Sequence, residues 1–184
     1  MMNDGLKKML EYNRIFVEHE MYKKYETTKY PDRKIAILAC MDTRMTELLP
    51  AALGLKNGDV KLIKNAGGQI MHPYGSAMFS LIVAVYELDV DTIIVIGHDD
   101  CGGQLLDGKK VIQKMIQHGI SVENIKYIDE THKNVEQWLT GFHSVEKSVH
   151  STLEIIKNHP LIHKEVEVYG FIMSPKTGEL RSIK

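Results

Sequence analysis

TIIVIG (residues 92–97) runs directly into HDDCGG (residues 98–103), and these twelve residues decide how the chain is read. Ile93 to Ile96 is an unbroken β-branched run, too short for a buried helix, which predicts a strand buried on both faces. Three more strand-like runs flank it: KIAILAC (34–40), compact enough for a buried strand, VKLIK (60–64) and VEVYGFIM (166–173). Helical patterns lie between them. Thr46 is placed to cap a helix through Leu53, and Met78, Leu81, Ile82, Val85 and Leu88 form one stripe. Val111–Gln117 and Val135–Leu139 read as further helices, and Ser144 caps a helix that Pro160 stops. Strands alternating with helices predict a single α/β domain with a mainly parallel central sheet flanked by helices. A short antiparallel strand is expected at Glu179–Ile183.

Ahead of this core, Leu6, Met9, Leu10, Phe16, Val17 and Met21 recur at helical spacing. They predict an amphipathic N-terminal helix from Gly5 to Tyr25, which the polar stretch Glu26–Pro31 ends. The 184 residues are expected to form one domain, with residues 1–30 as a helical arm and 34–184 as the α/β core.

Composition narrows the function classes. The 23 basic and 24 acidic side chains leave a formal charge of -1, which provides no general field for nucleic acid or an anionic membrane. No apolar stretch approaches the roughly 20 residues that cross a bilayer, and MMNDGLKKML at the N-terminus has no secretory-signal core. Two cysteines, Cys40 and Cys101, exclude a disulfide framework and favour a cytoplasmic location.

Both cysteines fall where parallel strands end. Cys40 closes the first buried strand and opens Cys40-Met41-Asp42-Thr43-Arg44, while His98 opens His98-Asp99-Asp100-Cys101. Neighbouring strands would bring Cys40, His98 and Cys101 to one edge of the sheet. Two thiolates and one imidazole suit zinc, and three protein ligands leave the fourth tetrahedral position open, as catalytic sites do. Gly102 and Gly103 permit tight backbone geometry where a helix is expected to start. Asp42 and Arg44, at alternate positions in one loop, can share two charge-assisted hydrogen bonds. Asp42 has two destinations, the Arg44 guanidinium or the metal. Asp99 and Asp100 are expected to pair with Lys109 or Lys110 at the surface, and His72 reads as a solvated loop residue or a proton shuttle.

Cys-x-Asp-x-Arg, followed about sixty residues later by His-x-x-Cys, resembles the β-class carbonic anhydrases, in particular their short bacterial and archaeal branch. The segments IAILACMDTR, LIKNAGG, IIVIGHDDCGG and VYGFI stand in the same order, so the resemblance spans about Lys34 to Leu180. It implies one Zn2+ per chain on Cys40, His98 and Cys101, with Asp42 and Arg44 as the catalytic dyad. It also implies reversible hydration of carbon dioxide to bicarbonate and a proton by zinc-bound hydroxide. N-terminal helices of this family lie across a neighbouring subunit, which implies a homodimer or a multiple of it. Two alternatives stay open: a related zinc hydrolase acting on carbonyl sulfide or carbon disulfide, and a noncatalytic zinc-binding or redox-sensing module.

Overall fold

The computed structural model describes residues 2–132 and 134–183. The aliphatic runs form the strands β1 (Ile35–Cys40), β2 (Val60–Asn65), β3 (Thr92–His98), β4 (Glu167–Met173) and β5 (Leu180–Ser182). The helices are α1 (Asp4–Glu18), α2 (Met45–Ala52), α3 (Ser76–Glu87), α4 (Gly108–Gln117), α5 (Val122–Thr131), α6 (Val135–Leu139) and α7 (Val145–Lys157). The runs with the longest unbroken apolar stretches, β1 and β3, sit centrally in a single sheet of order β2-β1-β3-β4-β5. β1 to β4 are parallel, and β5 returns antiparallel to β4.

The chain steps outward from β1 to β2 and then crosses back to β3, on the other side of β1. The winding therefore reverses between β1 and β3, and in open α/β sheets a ligand crevice forms at such a reversal, beyond the carboxyl ends of the strands. Register places Ala39 beside Ile96 and His98 beside Met173, so the last residues of β1 and β3 reach the same edge.

Side chains alternate across the sheet into two cores. Ile37, Ala39, Ile96 and Met173 pack under Met45 and Leu49 of α2. On the opposite face, Ala36, Leu38, Ile93 and Val95 lie under α3 (Met78, Leu81) and α7 (Val149, Ile156). Gly97 and Gly170 let α7 approach: a Cβ on Gly97 would lie 2.6 Å from Val145 Cγ1, and one on Gly170 would lie 2.6 Å from Leu153 Cδ1.

Two local expectations are corrected and one helix is new. The first helix ends at Glu18, because Glu20 takes a left-handed conformation and Met21–Tyr25 continues only as a 3-10 turn. α2 begins at Met45 and contains Thr46, so Thr46 is not its cap; the preceding turn is organised by the Asp42 side chain, which accepts from the Arg44 backbone N–H at 2.9 Å. α5 gave no clear periodicity because only Ile125 of its ten residues is buried; Ser121 caps it through Asn124 N–H. Among the described residues no helix is long and apolar enough to cross a membrane.

Leu38, fully buried at the centre of the sheet, tests this architecture. Leu38→Ala should destabilise the fold by about 2–5 kcal/mol, whereas Leu62→Ala on the half-exposed edge strand should cost roughly 1 kcal/mol or less. Urea denaturation at fixed zinc concentration measures both, and equal losses would contradict the assignment of β1 to the core.

Candidate metal centre

The convergence starts with two strand ends. Cys40 is the last residue of β1, His98 is the last of β3, and Cys101 follows after one tight turn. All three are buried, and one ligand atom from each lies within 4.8 Å of the others. Among the described residues this is the one such group of three metal-ligating side chains.

His98 supplies the clearest sign of what belongs there. Its Nδ1 lies 2.9 Å from the Asp99 carbonyl, which can only accept, so Nδ1 carries the proton. Nε2 is left as a bare acceptor, and it is the one buried side-chain polar atom of the described residues that has no hydrogen-bond partner. A buried lone pair without a partner is costly unless a ligand occupies it. The sulfurs agree: Cys40 Sγ and Cys101 Sγ are 3.8 Å apart. Two Zn–S bonds of about 2.3 Å at the tetrahedral angle span about 3.8 Å. The donor set and its spacing fit one zinc ion.

The hydrogen bond shared by the two sulfurs lowers the pKa of Cys40 and raises that of Cys101, with burial adding to the latter. A divalent cation favours the thiolate form of both.

Backbone packing holds the ligands in place. The turn Ala66–Gly68 lies directly against the end of β1, where a Cβ on Gly68 would fall 2.7 Å from the Cys40 nitrogen. Gly68 also has φ of +60°, so the close approach and the conformation both call for glycine. The loop beyond it is tied to α7 and its C-terminal end: Thr152 Oγ1 accepts from Ile70 N–H at 3.2 Å, and His159 Nε2–H donates to the Pro73 carbonyl at 3.0 Å. Gly102 and Gly103 open a 3-10 turn, Gly102–Leu105, rather than the expected α-helix.

Asp42 lies against the Arg44 guanidinium. Its Oδ1 accepts from Arg44 Nε at 3.0 Å and its Oδ2 from Nη2 at 2.8 Å, a bidentate pair. The Arg44 guanidinium holds the Asp42 carboxyl down to about 2, so it is charged at any ordinary pH. Its Oδ2 also stands 3.8 Å from His98 Nε2, beside the metal centre.

The two carboxylates between His98 and Cys101 are not paired as expected. Asp100 binds Arg44, with Nη1 2.9 Å from Oδ2, and Asp99 binds Arg181 at 2.5 Å. Lys109 and Lys110 instead face Glu136 and Asp107. The reason is tertiary: the turn after β3 meets the β1 loop and β5, whereas the lysines ride on α4. His72 is exposed, and its Nδ1 accepts from Tyr74 N–H at 3.1 Å.

Phe142 was invisible to pattern reading. Its ring fills the space above two glycines, where Cβ atoms on Gly67 and Gly103 would lie 2.9 and 2.8 Å from Cε1, and the Gly103 position is 3.6 Å from Cys101 Sγ. Phe142 N–H also donates to the Gly103 carbonyl at 3.2 Å. Its one sequence signal is an aromatic residue between Gly141 and the capping Ser144.

Known proteins are similar to this chain. Residues 35–180 match the family described as carbonic anhydrase. YtiB of Bacillus subtilis, whose name assigns it provisionally to the carbonic anhydrases, is 49% identical over 95% of this chain and 94% of its own. A carbon disulfide hydrolase of Acidithiobacillus thiooxidans is 26% identical over 96% of this chain and 90% of its own. The crystal structure of β-carbonic anhydrase isoform I from Trichomonas vaginalis superposes with a TM-score of 0.88, at 28% identity, over 99% of this chain and 98% of that one. With its buried Cys-His-Cys cluster at the β1 and β3 ends, the chain belongs to the carbonic anhydrase family, in its β class.

Proposed function

We propose that this chain interconverts carbon dioxide and bicarbonate, with Cys40, His98 and Cys101 holding one zinc ion and with Asp42 and Arg44 as the catalytic dyad. The observation that carries the reading is the unpartnered, buried His98 Nε2, which faces two thiols beside an arginine-clamped carboxylate. When bound, zinc brings the pKa of water from 15.7 towards roughly 7, so hydroxide is available near neutral pH.

The chain's own groups do the rest. Asp42 is an ionised acceptor whose Oδ2 stands beside the metal centre, so it can take a hydrogen bond from the nucleophile and turn its lone pair towards carbon dioxide. Arg44 keeps that carboxylate charged and fixes its plane through both oxygens. His98 is held in one tautomer and one orientation by the Asp99 carbonyl.

Carbon disulfide is the competing substrate, since a relative that carries that name aligns with nearly the whole chain. Side-by-side assays with labelled carbon dioxide and with carbon disulfide decide between them, and hydration of carbon dioxide should dominate. A noncatalytic zinc module has no use for an oriented acceptor such as Asp42, which speaks against that reading.

A homodimer, or a multiple of it, is the fitting assembly. No residue of α1 is buried, although Leu6, Met9, Leu10, Ile15 and Val17 are apolar, and Met9 is 70% exposed. An apolar helix left bare on its own core is covered most simply by a second copy. Two cysteines committed to a metal suit a reducing, cytoplasmic setting.

Metal analysis and mutation test the site together. Cys40→Ser and Cys101→Ser should each lose zinc and hydration activity; full occupancy in either variant would remove that residue from the ligand set. Arg44→Ala should keep its zinc yet hydrate about 10- to 100-fold more slowly. Because the carboxylate loses its charge only as pH falls towards about 2, that deficit should be similar across roughly pH 5 to 9. A stopped-flow pH profile checks this, and unchanged activity would remove the dyad. Met9→Asp with Leu10→Asp should shift size-exclusion elution towards the monomer, and unaltered elution would assign the arm another role.

A further inference from the structure

We infer that Asp100 is a positioning residue, one that holds the Arg44 guanidinium against Asp42 and thereby ties the β1 loop to the β3 loop across the metal centre. The inference rests on the dyad reading above, and the experiment below separates the two.

The geometry is that of one planar cation gripped on two edges. Nε and Nη2 of Arg44 face the two oxygens of Asp42, at 3.0 and 2.8 Å. Nη1 donates to Asp100 Oδ2 at 2.9 Å, and Nη2 donates again to the Asp100 backbone carbonyl at 2.8 Å. A guanidinium held on one edge can still swing about its long stem, and the Arg44 side chain is 42% exposed. Acceptors on the adjacent edge remove that freedom and set the plane in which Asp42 is bound.

Asp100 provides both acceptors because of its backbone. Its φ is +53°, a left-handed conformation that only glycine, asparagine and aspartate adopt readily. Both of its acceptors, carbonyl and carboxylate, are within reach of Arg44 in that conformation. Asp100 lies between His98 and Cys101, while Arg44 lies four residues beyond Cys40. The contact thus joins the two segments that carry the proposed ligands, which no backbone ladder links beyond the strand ends.

The bland account is a surface ion pair, since the Asp100 side chain is 81% exposed, and isolated exposed pairs contribute little stability. Stability, however, is not the role assigned. A positioning role depends on the orientation of Arg44, and the two accounts part at specific substitutions.

Asp100→Asn keeps the left-handed backbone and an acceptor oxygen, whereas Asp100→Gly keeps the backbone and removes the side chain. In the zinc-loaded full chain, Asp100→Asn should retain kcat within about twofold and Asp100→Gly should lose about three- to tenfold in kcat, with KM and zinc content unchanged. On an Arg44→Ala background the glycine substitution should have no further effect on kcat. Wild-type kcat in Asp100→Gly, loss of its zinc, or an additive loss in the double variant would each overturn the inference. A readout independent of turnover completes the test. By NMR, hydrogen exchange at Arg44 Nε–H, identified by its absence in Arg44→Lys, should accelerate in Asp100→Gly and not in Asp100→Asn. Unaltered exchange overturns the positioning role whatever the substrate, while accelerated exchange in a chain that fails to hydrate carbon dioxide would uphold it and sink the functional reading instead.

Discussion

Parallel pairing of β1 with β3 is the constraint on which everything else depends. The two strands occupy the middle of the sheet because each is buried on both faces over most of its length, and their register brings Cys40 and His98 to the same edge. A shift of one residue would turn each side chain to the opposite face. It would separate the thiol from the imidazole and expose apolar residues at once. The hydrophobic pattern that specifies the core therefore also brings Cys40 and His98 to the metal centre.

Around that pairing, polar groups are organised by what each can still accept or donate once buried. The Asp99 carbonyl accepts a hydrogen bond from His98 Nδ1–H, so Nε2 faces the thiols as a lone pair. Asp42 is occupied on both oxygens by Arg44, which leaves it charged and oriented rather than free to wander. Glycine does complementary work at Gly68, where the backbone of one turn presses on the backbone of β1 and a methyl group has no room. Acid–base orientation and close backbone approach are different physical demands, and the site meets both within a few residues of two strand ends.

Helical pieces outside the sheet divide by the faces they bury. α2, α3 and α7 complete the two cores. α1 buries nothing on its own domain, and α5 buries only Ile125. The apolar side chains of α1 are therefore exposed although the sheet core is well filled.

Sequence by itself determined the α/β class, the position of the strands along the chain, and the small group of residues able to hold zinc. Those signals are local: a β-branched run, a cysteine at a strand end, and alternate positions in one loop all lie within a few residues of each other. The Asp42–Arg44 pair was legible for the same reason. Tertiary structure alone decided the partners of Asp99 and Asp100, the wedge of Phe142 beside Cys101, and the pinning of the loop after β2 by Thr152 and His159. Asp100 and Arg44 are 56 positions apart and Thr152 and Ile70 are 82 apart, distances over which spacing predicts nothing. Such contacts form only after sheet order and register have placed distant turns side by side, because a side chain's choice of partner depends on which groups folding brings within hydrogen-bond reach.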